Sequence, residues 1–376
     1  MNICLLTRHN PYDRNSWSGI AHHIWNELKR THNVEWVGGS HLSIAERILL
    51  KTYLKVFGYY KFGFWYYSFL HSKINNKHIQ RTVTNKYALI VALNAPDYLA
   101  YLKTDIPVVY VNDATFELFT NFYPSFFNLS KARLKEGNTI EQNAIQKSRY
   151  LVYSSAWAAD SAIRFYNADE KKIRVISFGA NFTLEPTNGK YHPDQSENEV
   201  CRLLFVARDW QRKGGKKLLE VVSELRKSNF PFQLTVVGCD PELNNHEDVL
   251  QIIPFLDKNN EAEMVELEKI YSQAHILVLP TIADCTPVVF SEAAAFGIPV
   301  ITTETGGIGS LIRDGVNGFM LPLSAEPWEF AYKIKTVFED KELFNKLQSG
   351  SRREYETRLS WKTWANKFNE IIEEGL

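Results

Sequence analysis

Short apolar runs alternate with helix-length patterns in the first third of the chain, and the same alternation starts again after residue 200. Residues 3–7, a helical stretch at 18–29, and residues 34–37, 88–92 and 108–111 make the first series. Residues 202–206, 233–237, 251–253, 275–279 and 299–302 make the second. Strands separated by helices do not pair as hairpins; they form parallel sheets covered by helices. A chain of 376 residues is also too long for one hydrophobic core, so two α/β domains are predicted. Between the series, residues 183–199 are polar and rich in turn formers and mark an inter-domain linker. Near the end, Trp361, Trp364, Phe368 and Ile371 recur at spacings of three and four, the mark of an amphipathic helix that must dock its apolar face.

The bulk numbers exclude several classes of function. Lys plus Arg (43) balance Asp plus Glu (43), so no net field gathers nucleic acid. The cysteines Cys4, Cys201, Cys239 and Cys285 stand far apart without a CxxC pair, which argues against a zinc site or a disulfide framework. The opening Met-Asn-Ile-Cys-Leu-Leu-Thr reads as a strand rather than a secretion signal, so a cytoplasmic protein is expected. The most apolar long stretch, 48–70, is broken by Lys51, Lys55, Lys61, Gly58 and Gly63 and does not read as a membrane span.

In open α/β sheets ligands bind beyond the carboxyl ends of the strands, which directs attention to four loops. After 202–206 come Arg208, Arg212 and Lys213, then Gly214-Gly215 at a helix start. Cations at a positive helix terminus suit a phosphate or diphosphate, although a solvated basic turn has the same composition. The stretch is no Walker loop, since Trp210 and Lys217 occupy two of its required positions. After 275–279, Asp284 lies in the loop and Glu292 early in the next helix. Two carboxylates placed this way can accept hydrogen bonds from a sugar and a ribose, and the N–H groups of Thr286, Val288 and Val289 could face the ligand. For Glu292 the plain alternative is a favourable charge near a helix N-terminus. Residues 302–310 supply a glycine-rich turn that lacks the dinucleotide fingerprint because of Ile312. In the first series, Arg8, His9, Asp13 and Ser18-Gly19 follow one strand, and Asp113 follows another, where it could equally be a helix cap.

Taken together these residues resemble the retaining glycosyltransferases of family four, which have the GT-B fold: an α/β architecture of two facing Rossmann-like domains with parallel sheets. The resemblance covers essentially the whole chain and is densest between residues 203 and 322. It implies that Arg208 and Lys213 bind the donor diphosphate, that Asp284 contacts the donor sugar, and that Glu292 contacts the ribose. It further implies a diphosphate contact at Gly19, a base near 255–258, and a final helix carrying Trp361 and Trp364 that crosses back to the N-terminal domain. Gly306-Gly307, Asp-Gly-Val-Asn-Gly-Phe-Met-Leu-Pro at 314–322 and Phe-Gly-Ala-Asn at 178–181 match as well. Asp284 departs from the usual Glu, Pro287 from a common Gly, and Asp113 from a common His near the donor sugar. Domain limits follow: 1–185 with 358–376 for the acceptor, and 186–357 for the donor.

The implied reaction moves a hexose from a nucleotide diphosphate sugar, with a UDP-sugar favoured, to an acceptor hydroxyl with retention. The acceptor is expected to be a glycan or a lipid-linked oligosaccharide in cell-surface polysaccharide biosynthesis. No metal or other cofactor is expected, because Arg208, Lys213 and the Gly214-Gly215 helix start take over charge stabilisation of the leaving group. Arg208, Lys213 and Asp284 are then the catalytic candidates, and Asp113 a sugar or acceptor contact. Between residues 45 and 86, Arg47, Lys51, Lys55, Lys61, Lys73, Lys77, Arg81 and Lys86 face the single acid Glu46 amid many aromatics. Such a segment can rest on the inner face of a membrane, or can simply be ordinary helices with solvated lysines. The rival readings are a nucleotide-sugar epimerase or a phosphorylase on the same fold, and a non-enzymatic two-domain sugar-binding protein.

Overall fold

The computed structural model describes residues 1–38, 42–56, 65–120, 122–182, 200–239, 250–253 and 255–375. The linker expected at 183–199 and residues 57–64 of the basic aromatic segment lie outside the described residues. The strands are β1 (Asn2–Leu6), β2 (Asn33–Val37), β3 (Leu89–Leu93), β4 (Val108–Asn112), β5 (Tyr150–Tyr153) and β6 (Ile173–Val175), then β7 (Cys201–Val206), β8 (Phe232–Val237), β9 (Leu250–Ile253), β10 (Ile276–Leu279), β11 (Val300–Thr303) and β12 (Gly318–Leu321). They form two all-parallel sheets of six strands, in the orders β2-β1-β3-β4-β5-β6 and β12-β11-β10-β7-β8-β9. The nine strands read from apolar runs are all present, shifted by at most a residue or so at their ends. The additional strands β5, β6 and β12 complete the sheets.

Two compact units are present: residues Met1–Ile176 with Ala365–Leu376, and Ser177–Trp364. The helix Trp361–Gly375 starts in the second unit and ends in the first. In the first unit β3 and β4 are buried along their whole length, as expected of central parallel strands covered on both faces. In the second, Phe205, Tyr271, Phe290, Phe330 and Phe344 fill a continuous core between sheet and helices.

Strand order sets where each unit opens. In the second sheet β7 has β8 on one side and β10 on the other, so the connections leaving these strands diverge to opposite faces. A crevice at the carboxyl ends of β7 and β10 is the geometric consequence. In the first sheet β1, between β2 and β3, holds the corresponding place.

Candidate active site

The loop following β7 is strapped to the loop following β10 by backbone as well as side chains. The carbonyl of Arg212 accepts from the Ile282 N–H at 2.9 Å and from the Thr281 hydroxyl at 3.2 Å, while Arg212 Nη1 donates to the Ala283 carbonyl at 2.8 Å. Gly214 makes this close approach possible. It sits at φ 81°, and a Cβ there would lie 1.9 Å from the Pro280 carbonyl oxygen. The helix Gly215–Lys227 starts immediately after it, so its positive N-terminal end lies beside the two loops, with the Gly215 N–H donating to the Trp210 carbonyl at 2.8 Å.

Asp284 is the electrostatic centre of this arrangement. Its Oδ2 accepts from the Lys213 ammonium, and Arg212 Nη1 stands 3.8 Å from the same oxygen. The Lys213 and Asp284 side chains are only 12% and 9% exposed, so the pair is screened little by solvent. A third loop braces the site: the Gly307 N–H donates to the Asp284 carbonyl at 3.3 Å, and the Thr303 hydroxyl to the Thr281 carbonyl at 2.6 Å.

Glu292 is buried in the helix Val288–Ala295, at 1% exposure. Lys258 Nζ donates to its Oε1 at 2.6 Å and the Tyr271 hydroxyl to its Oε2 at 2.9 Å. Burial and the neighbouring Glu292 raise the Tyr271 hydroxyl well above its ordinary range, so it serves as a neutral donor. Each carboxylate oxygen can accept about two hydrogen bonds, which leaves Glu292 capacity for ligand hydroxyls. Helix-dipole electrostatics alone does not account for a carboxylate held this way by two side chains. The same helix starts at Pro287 without a side-chain cap, so the N–H groups of Val288 and Val289 have no intrahelical partner. Thr286 is buried beside them.

Arg208, on the same loop, packs on an aromatic ring. Its guanidinium Cζ lies 4.2 Å from the centroid of the Phe255 ring, itself about half exposed. Lys213, Arg212 and Asp284 form one cluster, and Arg208 packs on Phe255. Sequence reasoning placed Lys258 only within a stretch near the base, and it missed Tyr271 altogether. Neither has a local signature, because each is defined by the carboxylate it reaches across sequence.

The first-unit candidates lie on the segments after β1 and β4. Gly19 has φ 85° and precedes the helix Ile20–Lys29, and Trp17 and Ser18 before it also hold positive φ, 46° and 54°. Three successive left-handed residues are a costly backbone, held here at the turn after β1. Asp113 follows β4, and its N–H donates to Asn112 Oδ1 at 3.0 Å. It is not a helix cap; Thr115 occupies the N-cap of Phe116–Phe119. A residue that sequence reasoning did not single out is Asp97, fully buried after β3. Its carboxylate accepts from Arg8 through one oxygen, and His71 Nδ1 lies 3.4 Å from the other. Arg8 Cζ also lies 4.0 Å from the Tyr66 ring centroid. Among the described residues no three His, Cys, Asp or Glu side chains gather as metal ligands.

The second unit thus has a cationic loop after its first strand and buried acids after its fourth. Residues 201–340, which contain that loop and those acids, match the family model described as Glycosyl transferases group 1. The resemblance to family-four enzymes thus stands. D-inositol 3-phosphate glycosyltransferase of Corynebacterium kroppenstedtii is 24% identical over 253 residues, covering 63% of this chain and 55% of that protein. The chain therefore spans about half the length of that curated relative. Among solved structures, sucrose-phosphate synthase from Thermosynechococcus elongatus aligns with a TM-score of 0.68 at 15% identity, covering 100% of this chain and 98% of that one. Anabaena HepE in complex with UDP aligns with a TM-score of 0.64 at 17% identity and 100% coverage of both chains. The fold is that of the GT-B glycosyltransferases.

Proposed function

We propose that the protein transfers a hexose from a nucleotide diphosphate sugar to an acceptor hydroxyl with retention at the anomeric carbon. The observation that carries this reading is the convergence of Lys213, Asp284 and the start of helix Gly215–Lys227 at the carboxyl ends of β7 and β10, with Glu292 held on the next helix. The group 1 domain match supports it, as does the HepE structure described with UDP. In this reading the C1–O bond to the diphosphate breaks, and negative charge develops on the leaving β-phosphate. Lys213 and the N–H groups of helix Gly215–Lys227 stabilise that charge, and Arg208 swings from Phe255 to join them. Glu292, oriented by Lys258 and Tyr271, accepts from the ribose hydroxyls, and Asp284 accepts from a sugar hydroxyl. The acceptor oxygen attacks from the face the diphosphate leaves, and its proton passes to the leaving phosphate. The acceptor is a glycan or lipid-linked oligosaccharide of the cell surface.

A thermal-shift screen against UDP, GDP, ADP and CMP tests the donor assignment. A ligand that binds the folded state raises the midpoint by mass action. One nucleoside diphosphate is expected to stabilise the protein, with the shift lost in both Arg208→Ala and Glu292→Ala. If none does so while a free sugar does, the protein is a sugar binder and the transferase reading fails. NMR of the product with the identified donor then reads the anomeric configuration, and an inverted product removes the retaining mechanism.

A further inference from the structure

The helix Ile44–Val56 is apolar on two opposite faces, which a surface helix of a globular unit does not need. Its inner face buries Leu50 and Leu54 against Leu42, Tyr53 and Leu70. On the other side Ile44, Ile48, Leu49 and Val56 are 78%, 61%, 54% and 72% exposed. At 100° per residue these four aliphatics share one outward arc of about 140°. Lys55 falls inside that arc, and Lys51 and Arg47 flank it along one edge, all exposed. Lysine stems can lie along an apolar surface while their ammonium groups reach outward from its rim.

Charge on this part of the unit is mostly positive; besides Glu46, Glu136 of a neighbouring helix accepts from the Tyr53 hydroxyl at 3.1 Å. Among residues 42–56 and 65–86, Glu46 is the only acid. It is turned to local use, accepting from the Ser43 N–H and hydroxyl, each at 2.9 Å, and standing 3.0 Å from His78 Nε2. The contact with His78 joins this helix to Phe69–Thr82, whose Lys73, Lys77 and Arg81 are exposed and extend the cationic rim. A protein partner would match the aliphatic strip with its own, but nothing in the strip calls for a surrounding of purely negative charge. An anionic lipid surface offers both features at once, an acyl boundary for the aliphatics and phosphates for the rim. We propose that the outer face of helix Ile44–Val56 docks on an anionic lipid bilayer, with Ile44, Ile48, Leu49 and Val56 inserted and Arg47, Lys51 and Lys55 at headgroup level.

Vesicle co-sedimentation of the full chain tests this, using phosphatidylcholine alone and phosphatidylcholine mixed with phosphatidylglycerol. The protein is expected to pellet with the mixed vesicles at low salt, to be released as salt is raised, and to ignore phosphatidylcholine alone. Lys51→Glu with Lys55→Glu is expected to weaken partitioning by roughly tenfold or more, given the contribution of each surface cation. Ile48→Ser with Leu49→Ser is expected to abolish pelleting while leaving the melting midpoint unchanged, because both side chains are exposed. Wild type that stays in the supernatant at low salt overturns the proposal. So does a Ser pair that pellets like wild type, since attraction is then purely electrostatic. A dimer in solution that the Ser pair dissociates, without vesicle binding, assigns the face to a second copy and overturns it too. The assay contains no nucleotide, so its failure leaves the donor reading intact, and the reverse holds.

Discussion

At the scale of single residues, two buried carboxylates show how environment separates roles. Glu292 is paired with Lys258 and anchored by Tyr271. Removing the lysine leaves a buried carboxylate with one side-chain donor, so Lys258→Ala is expected to lower stability by about 2 kcal/mol. Adding Glu292→Gln should recover much of that loss, which a double-mutant cycle in urea measures. Glu141, buried in the first unit, is the opposite case. Burial pushes its carboxyl up to about 8, even though Tyr110 and Tyr67 donate to it at 3.2 and 3.3 Å. The folded state therefore keeps a proton that the unfolded chain releases above its ordinary 4.5. The associated stability is complete below that value and is lost as pH rises through about 8. Glu141→Gln, which mimics the protonated form, is expected to flatten the fall in melting midpoint between these limits. A variant whose midpoint falls as steeply as wild type contradicts the assignment.

At the scale of elements, six of the nine legible strands owe their mark in the sequence to burial. β1, β3, β4, β7, β10 and β11 sit inside the sheets, and their side chains are nearly all buried, which leaves a continuous apolar run in the sequence. β6 has three residues, none of them buried, and β12 starts at a glycine, so neither leaves such a mark. Their pairing comes from the strand beside them. The turn between β7 and its helix was legible as two glycines, but the reason for the first lies in Pro280, far along the chain. Gly214→Ala must adopt φ 81° and clear the Pro280 carbonyl, and is expected to destabilise the second unit by at least about 2 kcal/mol. The nucleotide-induced thermal shift should shrink as well, because the loop carrying Lys213 moves with it.

At the scale of the whole molecule, the helix Trp361–Gly375 is shared by both units. Phe368, Ile371 and Ile372 are 0%, 2% and 7% exposed and belong to its first-unit portion. Full burial of three such side chains contributes roughly 5–9 kcal/mol, comparable to the net stability of an ordinary domain. Deleting residues 365–376 is therefore expected to unfold the first unit and leave the second folded. Limited proteolysis reads the outcome: a protected fragment covering about residues 200–360 is expected, and equal protection of both units contradicts the prediction.

The sequence by itself determined the class of architecture, because alternating strand and helix patterns leave only parallel sheets, and it located the loops that carry Arg208, Lys213, Asp284 and Glu292. These signals are local, set by side-chain periodicity and by the residue types that turns and phosphates demand. Tertiary structure alone decided which of these residues meet. It joined Lys213 to Asp284, packed Arg208 on Phe255, closed Glu292 between Lys258 and Tyr271, and buried Asp97 against Arg8. The physical reason is that strand order, not chain order, sets neighbours in a doubly wound sheet: β7 lies beside β10, so loops about seventy residues apart share one crevice.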